Sequence, residues 1–226
     1  MPETPATGPS APQIEYFYSA HSAFAYIGHP TLLRLCEAHG CTLIHRPFNL
    51  SPVVEAAGGQ AFRSRTQHHV DYFFGREIER WAHYRTLEIL NHRPTHHDSA
   101  LDLSNGMLIA AILRGENVNA LAFAVLQAHW RDDIDLADKA SLEQLCRHVG
   151  IDPTPLLEAA LGDVTQAIHA ENTAEAIERG VFGSPTYFLD GDMFYGQDRL
   201  ELIEAALKAP FKPNNFKNPT VSKIPE

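Results

Sequence analysis

The stretch that decides the fold is residues 14–47, IEYFYSAHSAFAYIGHPTLLRLCEAHGCTLIHRP. It begins with β-branched and aromatic residues over Ile14–Ser19, a composition typical of a strand. Apolar residues then recur at helical spacing up to Gly40, which ends the helix, and Pro30 predicts a kink or a new helix start. Thr42–Pro47 is a second short strand. Because strand, helix and strand follow one another, we predict a βαβ unit with two parallel strands.

The remainder of the chain separates into a helical part and a short C-terminal strand region. Residues 60–180 carry one helical pattern after another, among them Arg76–Leu90. Residues 185–195, with a turn at Asp190-Gly191, predict a hairpin, and a last helix follows at Asp198–Lys208. The layout is therefore α/β, with βαβ, an all-helical insertion and ββα in sequence. This is the order of a thioredoxin-like fold with a large insertion.

These patterns give a division of the chain into four parts. We predict a disordered tail at 1–13, a thioredoxin-like domain formed by 14–59 and 181–208, a helical insertion subdomain at 60–180, and a C-terminal arm at 209–226. A cleft between the domain and the insertion is the natural place for a ligand.

The composition excludes several functions. With 18 Lys and Arg against 28 Asp and Glu, the formal charge is −10, so nucleic acid is not expected as a partner. No apolar run reaches the roughly 18 residues that a membrane span needs. The three cysteines contain no Cys-x-x-Cys pair, and the first dozen residues lack a secretion signal. We therefore expect a cytoplasmic protein with reduced thiols.

Histidine is over-represented, with 13 residues. Many lie early in the insertion, at His68, His69, His83, His92, His96 and His97, but without the spacing of a metal site on one helix, and we predict no metal. Full protonation would reverse the sign of the formal charge, so the sequence predicts an electrostatic field that is adjustable near pH 6.5. We expect surface, capping or cleft positions, and His21 could tune a neighbouring thiolate or polarise an acceptor carbonyl.

Ser22 stands where the first strand ends and the first helix begins. A group at this position faces unsatisfied backbone N–H donors and the positive end of the helix dipole, which stabilise an anion. The simplest interpretation is that Ser22 is an N-cap. The functional alternative is that its hydroxyl donates a hydrogen bond to a thiolate that another molecule brings.

Two further segments surround the hairpin. Gly180–Thr186 contains Ser184-Pro185 at the strand start, and Tyr195–Glu201 contains Gln197-Asp198. Asp198 with Glu201 forms the pattern of a capping box. Alternatively, Asp198 and nearby free N–H groups would suit a zwitterion, the amides taking a carboxylate and Asp198 an ammonium.

Together these segments resemble the 2-hydroxychromene-2-carboxylate isomerases and their kappa-class glutathione transferase relatives. The resemblance rests on YFYSAHSAFAYIG at 16–28, RPFNL at 46–50 and AIERGVFGSPTYFLDGDMFYGQDRL at 176–200. It covers roughly residues 14–208, with Ser22 in the place of the active-site serine. The chain departs from the family at Ser19, where the family has an acidic residue, at Ala23, where it has proline, and at Val54, where it has a basic residue.

The resemblance implies a glutathione site. In the family, the serine hydroxyl holds the glutathione sulfur as thiolate, which implies this role for Ser22. Ser184 and cis-Pro185 would offer backbone groups to the cysteinyl part, and Gln197 and Asp198 would bind the γ-glutamyl end. The resemblance also implies a thioredoxin-like homodimer.

On the acceptor side, the resemblance places Asn49, Arg65 and Trp81 near a small, aromatic, electrophilic substrate. The implied reaction is an isomerisation in which glutathione adds to a double bond and leaves again. Two alternatives stay open at this point, a kappa-like glutathione transferase or peroxidase and a non-catalytic binding protein whose site has decayed. A disulfide oxidoreductase is not expected, because no Cys-x-x-Cys is present.

Overall fold

The computed structural model describes residues 11–60 and 62–220. Most of the predicted tail at 1–13, and the end of the predicted arm at 221–226, lie outside the described residues. The described part of the arm, 209–220, has no helix or strand.

A four-stranded mixed sheet forms the centre of the molecule. Its strands are β1 (Gln13–Tyr18), β2 (Thr42–Pro47), β3 (Thr186–Leu189) and β4 (Asp192–Tyr195), in the spatial order β2-β1-β3-β4. β1 pairs parallel with β2 and antiparallel with β3, and β3 pairs antiparallel with β4. The predicted α/β class, βαβ unit and C-terminal hairpin are confirmed.

Helices surround the sheet, and the helices from α2 to α9 belong to the long connection between β2 and β3. They are α1 (Ala23–His39), α2 (Leu50–Ala56), α3 (Gln67–Asp71), α4 (Glu77–Tyr84), α5 (Asp102–Arg114), α6 (Val118–Arg131), α7 (Lys139–His148), α8 (Pro153–Ala159), α9 (Asp163–Glu178) and α10 (Leu200–Lys208).

Two local expectations differ from the structure. α1 runs through Pro30 as one helix, so the new helix start, one of the two alternatives predicted there, is wrong, while the kink stays a prediction. The loss of one backbone donor is offset by burial of residues on both sides of Pro30. The helix predicted at Arg76–Leu90 ends at Tyr84. The chain turns at Thr86, where φ is 58°, and the backbone N–H of Leu90 then donates to the carbonyl of Trp130 at 2.8 Å.

The alternation of side chains along β1 gives the sheet two different faces. Tyr16 stacks on Tyr18 at 4.2 Å and on Tyr187 at 5.4 Å between ring centroids, on the face that packs against α1. Phe17 points to the other face, where it packs with Phe188 and with residues of α2 and α9. Burial on both faces explains why residues 16–18 of this strand are all aromatic.

Two buried histidines connect the aromatic face to the helices. His29 of α1 lies 3.4 Å from the Tyr16 hydroxyl and 3.1 Å from the Asn119 carbonyl, and His45 of β2 lies 3.0 Å from the Tyr18 hydroxyl. Burial lowers the pKa of His29 to about 3 and that of His45 to about 4. Both imidazoles are therefore neutral hydrogen-bonding groups of the core, and the expectation that the whole histidine set titrates near pH 6.5 is wrong.

Stability should therefore depend on pH. Below the unfolded-state pKa of about 6.5, the unfolded chain takes up protons that folded His29 cannot bind, so the free energy of unfolding should fall by about 1.4 kcal/mol per pH unit for this residue, down to its folded pKa. In the variant His29→Gln, the free energy of unfolding, measured by denaturant titration at several pH values, should fall less steeply between pH 6 and 4. Ser104→Ala, which changes a buried group that does not titrate, is the control and should keep the wild-type slope. Equal slopes in both variants would contradict the assignment.

Candidate active site

The Ser22 hydroxyl lies at the centre of the candidate site. Ser22 has extended backbone angles and caps α1, because its Oγ accepts the N–H of Ala25 at 3.2 Å. The same hydroxyl donates to the carbonyl oxygen of Ser184 at 3.1 Å. The capping interpretation is thus confirmed, and the hydroxyl also has a second contact across the fold.

The loop before β3 is held against the β1–α1 loop from several sides. The N–H of Ser19 donates to Ser184 Oγ at 3.1 Å, and the Ser184–Pro185 peptide bond is cis. The carbonyl of Pro185 accepts the N–H of Gly196 at 2.9 Å. These hydrogen bonds bring Ser22, Ser184 and Pro185 together, and they place the end of β4 beside them.

Gln197 and Asp198 follow at the end of β4, in a short 3-10 turn at residues 197–199. Gln197 is only 2% exposed, and its Oε1 lies 3.5 Å from Arg85 Nη2. The Asp198 side chain is 37% exposed and pairs with Arg199. The capping alternative for Asp198 is wrong, because α10 begins at Leu200 and Arg199 occupies the N-cap position. Asp198 is therefore the more accessible of the two side chains.

The close packing of the 3-10 turn on α1 depends on Gly28. A Cβ at this position would lie 2.7 Å from Cβ of Gln197 and 3.2 Å from the Tyr187 hydroxyl. That hydroxyl is fully buried and has no hydrogen-bond partner in the described chain. Glycine at 28 thus lets the turn that carries Asp198 approach α1.

The three residues predicted for the acceptor side lie in different places. Asn49 is exposed at the start of α2 and lines a cavity. Arg65 lies over the Phe74 ring and donates to Nε2 of His69 at 2.9 Å. Burial raises the pKa of Tyr195, and the charge of Arg65 opposes part of that rise. Arg65 is therefore on the side of the Asp198 turn.

Trp81, the third, lies in α4 with the Arg85 guanidinium 5.5 Å from its ring centroid. Of the three, Asn49 is the one that borders the cavity in the described part of the chain.

The cavity has a volume of about 260 Å³ and lies next to the Ser22 junction. Its wall is mainly polar. It comprises His21, Asn49, Leu50, Ser51, His97, Asp98, Ser99, Ala100, Leu101, Asp102, Asn105 and His169. His21 precedes Ser22 directly, so the cavity and the Ser22 hydroxyl share one loop. The cavity lies between the sheet domain and the helical insertion, where the ligand site was predicted.

Asn105 is a site residue that sequence reasoning missed. Its fully buried amide accepts the N–H of Ala20 at 3.1 Å and donates to the Phe48 carbonyl at 3.3 Å and to Nε2 of His169 at 3.1 Å. The available signal was an asparagine in the apolar helix DLSNGMLIAAILR. A polar group in such a position is costly unless it is hydrogen-bonded.

Cys36 and Cys146 are buried free thiols. Burial raises the pKa of Cys36 to about 12 and that of Cys146 to about 11, so both are weak nucleophiles. Within residues 11–60 and 62–220, no three His, Cys, Asp or Glu side chains are placed to hold a metal ion. No helix in that same part of the chain has the length and apolar character of a membrane span.

Comparison with known proteins places this geometry in a family. The model of the DSBA-like thioredoxin domain matches residues 13–208. The chain belongs to the DsbA-like thioredoxin family. Among curated relatives in this family, the 2-hydroxychromene-2-carboxylate isomerase of Sphingobium xenophagum is 28% identical over 196 residues, covering 86% of this chain and 97% of the relative. The enzyme of the same name from Pseudomonas putida is 26% identical over 197 residues, covering 86% and 93%.

Solved structures of DsbA-like proteins show the same fold. A 2-hydroxychromene-2-carboxylate isomerase structure matches with a TM-score of 0.75 at 24% identity, covering 87% of this chain and 94% of that chain. A probable DsbA oxidoreductase from Streptomyces coelicolor has a TM-score of 0.69 at 19% identity, with 92% and 94% coverage. The cytosolic disulfide reductase DsbM of Pseudomonas aeruginosa, solved with GSH, has a TM-score of 0.62 at 16% identity, with 87% and 99% coverage.

The contact at Gly28 gives a prediction for this DsbA-like site. Gly28→Ala should lower the free energy of unfolding by about 1–3 kcal/mol, because the new methyl group meets Cβ of Gln197 in a packed interface. Gly75→Ala, also in a helical segment but with open space around its Cβ, is the matched control and should raise stability by up to about 1 kcal/mol. Both can be measured by urea unfolding. If both variants are stabilised alike, the turn at 197–199 does not rest on α1.

Proposed function

We propose that this protein is a glutathione-dependent isomerase of the 2-hydroxychromene-2-carboxylate isomerase type. The observation that carries the proposal is the hydrogen bond of Ser22 Oγ to the Ser184 carbonyl. It joins the start of α1, where an anion is stabilised, to the cis-proline loop, where an extended peptide can pair with the backbone. The similarity to relatives with this name over 86% of the chain supports the same choice.

The residues at this junction have the chemistry that glutathione requires. The tripeptide offers a thiol, backbone amide groups and a zwitterionic γ-glutamyl end. Ser22 supplies a hydroxyl donor, the Ser184–Pro185 segment supplies backbone groups, and Asp198 supplies a partly exposed carboxylate for the ammonium. Gln197, which is buried against α1, would act by supporting the turn and by its backbone.

Ser22 is proposed to exchange hydrogen-bond partners when the thiol binds. In the structure its proton is directed to the Ser184 carbonyl, while its oxygen accepts from Ala25. Rotation of the O–H bond toward a sulfur would leave the cap intact and free the carbonyl of Ser184 for a peptide N–H. A donor and a helix N-terminus together lower the pKa of a thiol from its ordinary value of about 8.5.

When bound, glutathione would supply a thiolate that adds reversibly to an unsaturated aromatic substrate, so that rotation about the resulting single bond precedes expulsion of the thiol. This chain contributes by holding the sulfur at Ser22 and by offering the neighbouring cavity for the acceptor, with Asn49 in its wall. Arg65, near the Asp198 turn, is proposed to contribute on the glutathione side rather than on the acceptor side. Trp81 is proposed to act through Arg85, which lies between it and Gln197.

The proposal includes the cellular location and the assembly of the enzyme. We place it in the cytoplasm, where the buried thiols of Cys36 and Cys146 stay reduced, and one structural neighbour is a cytosolic protein by its name. The homodimer that the resemblance implies is retained as the proposed assembly.

Calorimetric titration with glutathione tests the cofactor. The wild-type protein should bind it at millimolar concentration or below. Asp198→Ala should bind it about 10- to 100-fold more weakly, because a charge-assisted hydrogen bond to the ammonium is lost. Asp192→Ala, an exposed carboxylate at the start of β4, is the control and should bind as the wild type does. Absence of wild-type binding at millimolar glutathione would rule out the cofactor.

The role of Ser22 is tested by the ionisation of the bound thiol. In Ser22→Ala the pKa of that thiol should rise by about one unit or more, seen as loss of thiolate ultraviolet absorbance near neutral pH. Ser22→Thr keeps the hydroxyl and should keep the absorbance. Ser22→Ala also removes the cap and should cost about 1 kcal/mol of stability, which a parallel unfolding measurement separates from the ionisation. An unchanged thiol titration in Ser22→Ala would leave the residue as a cap alone.

A further inference from the structure

Three histidine rings form a continuous stack beside Ser22, which we call the histidine stack. His21 and His97 lie 4.7 Å apart between centroids, and His97 and His129 lie 5.2 Å apart. Trp130 covers the stack, with its ring 5.4 Å from His97 and its indole N–H donating to the His21 carbonyl at 2.8 Å. Two of the three rings, His21 and His97, line the cavity.

The hydrogen bonds fix which nitrogens of the stack carry a proton. His129 Nδ1 lies 3.2 Å from the Ile134 carbonyl, which can only accept, so Nδ1 is protonated. Burial lowers the pKa of His129, so the ring is neutral and its Nε2 is a bare acceptor. His97 Nδ1 lies 2.9 Å from that nitrogen and must therefore be the donor.

The same reasoning leaves one nitrogen of His97 free. Burial and the neighbouring imidazoles lower the pKa of His97, so it too is neutral. With its proton on Nδ1, its Nε2 carries only a lone pair, and this nitrogen has no hydrogen-bond partner in the part of the chain described. His97 is partly exposed, so the atom belongs to a ring that a ligand can reach.

The other two histidines of the cavity do not offer a free acceptor nitrogen whose protonation is fixed by its neighbours. His169 Nε2 accepts from the Asn105 amide at 3.1 Å and is occupied. His21 Nδ1 lies 2.9 Å from Ser19 Oγ, a hydroxyl that can donate or accept, so its tautomer is not fixed. Asp98, also in the wall, accepts hydrogen bonds from two guanidinium nitrogens of Arg93, with N–O distances of 2.6 and 2.9 Å.

We propose that His97 Nε2 is a specificity-determining hydrogen-bond acceptor for a hydroxyl group of an acceptor molecule bound in the cavity. This inference rests on the proposed function only in taking the cavity as the acceptor site next to Ser22. A volume of about 260 Å³ suits one aromatic ring with a short side chain.

His129 is a positioning residue in this proposal. Its Nε2 accepts the proton of His97 Nδ1 in a hydrogen bond and so keeps Nε2 of His97 without a proton. Burial lowers the pKa of both rings, so both stay neutral and the lone pair of His97 Nε2 stays available as an acceptor near neutral pH.

Nuclear magnetic resonance tests the tautomers without any ligand. Long-range proton–nitrogen correlations of the nitrogen-15-labelled protein near pH 7 should show His97 and His129 protonated at Nδ1 alone. In His129→Phe, which removes the acceptor, His97 should change to the Nε2-protonated form. His96→Phe, at the adjacent exposed position, should leave the His97 signal unchanged. A wild-type His97 that is protonated at Nε2 overturns the inference.

Binding of a hydroxylated probe tests the acceptor nitrogen itself. In calorimetry without glutathione, ortho-hydroxybenzylideneacetone should bind the wild-type protein about tenfold more tightly than its ortho-methoxy counterpart, which cannot donate. His97→Phe keeps an aromatic ring in the stack and should lose this discrimination. His129→Phe should lose it too, because Nε2 of His97 becomes a donor, while His96→Phe should keep it.

Each outcome separates the two proposals. Equal affinities in the wild type, no binding of either probe, or discrimination that persists in His97→Phe would overturn the role of His97, whatever glutathione does. Discrimination by the wild type together with no glutathione binding would support the acceptor role of His97 and would rule out the proposed cofactor. If His97→Phe fails to fold, His129→Phe and the wild-type tautomers decide the question.

Discussion

A single hydroxyl group, that of Ser22, connects the parts on which the rest of the structure depends. It caps α1 through the N–H of Ala25 and holds the loop before β3 through the carbonyl of Ser184. These segments are separated by 162 residues, and the helical insertion lies between them in sequence. The parallel pairing of β1 with β2 and the antiparallel pairing of β1 with β3 bring both ends of the insertion to the C-terminal end of β1. The anion-stabilising end of α1 and the backbone of the cis-proline loop therefore meet at the same point.

Much of this junction follows from local sequence. The strand, helix and hairpin signals are each contained in short segments, so the sheet and the positions of Ser22, Ser184 and Asp198 on it could be predicted. The contacts of Asn105 and of the histidine stack could not be predicted, because the partners lie far apart in sequence. Asn105 is 85 residues from Ala20, and His129 is 32 residues from His97. Such contacts depend on how the insertion packs, and the end of α4 at Tyr84 is set by the same packing.

Much of the histidine excess is explained by buried imidazoles that both fill space and form hydrogen bonds. Burial lowers the pKa of six of the 13 histidines, which are His21, His29, His45, His97, His129 and His169. They fill positions where an apolar body and one or two hydrogen bonds are both needed, as at the tyrosine hydroxyls of β1. Neutral imidazole meets this need in the core and, beside the cavity, also provides a lone pair. The acidic character of the protein therefore persists through neutral pH.

The amide of Asn105 has a mechanical consequence. It is bonded to the loop before Ser22 and to Phe48 after β2, so it ties the insertion to the sheet domain at two points, and a third bond joins it to α9 within the insertion. A rigid swing of the insertion away from the sheet would break the bonds to Ala20 and Phe48 and leave buried polar groups without partners. Opening of the cavity must instead come from shorter movements, by the segment of 97–101 that forms its rim. Substrate and product would then enter and leave through movement of this short segment, without a hinge motion between the insertion and the sheet.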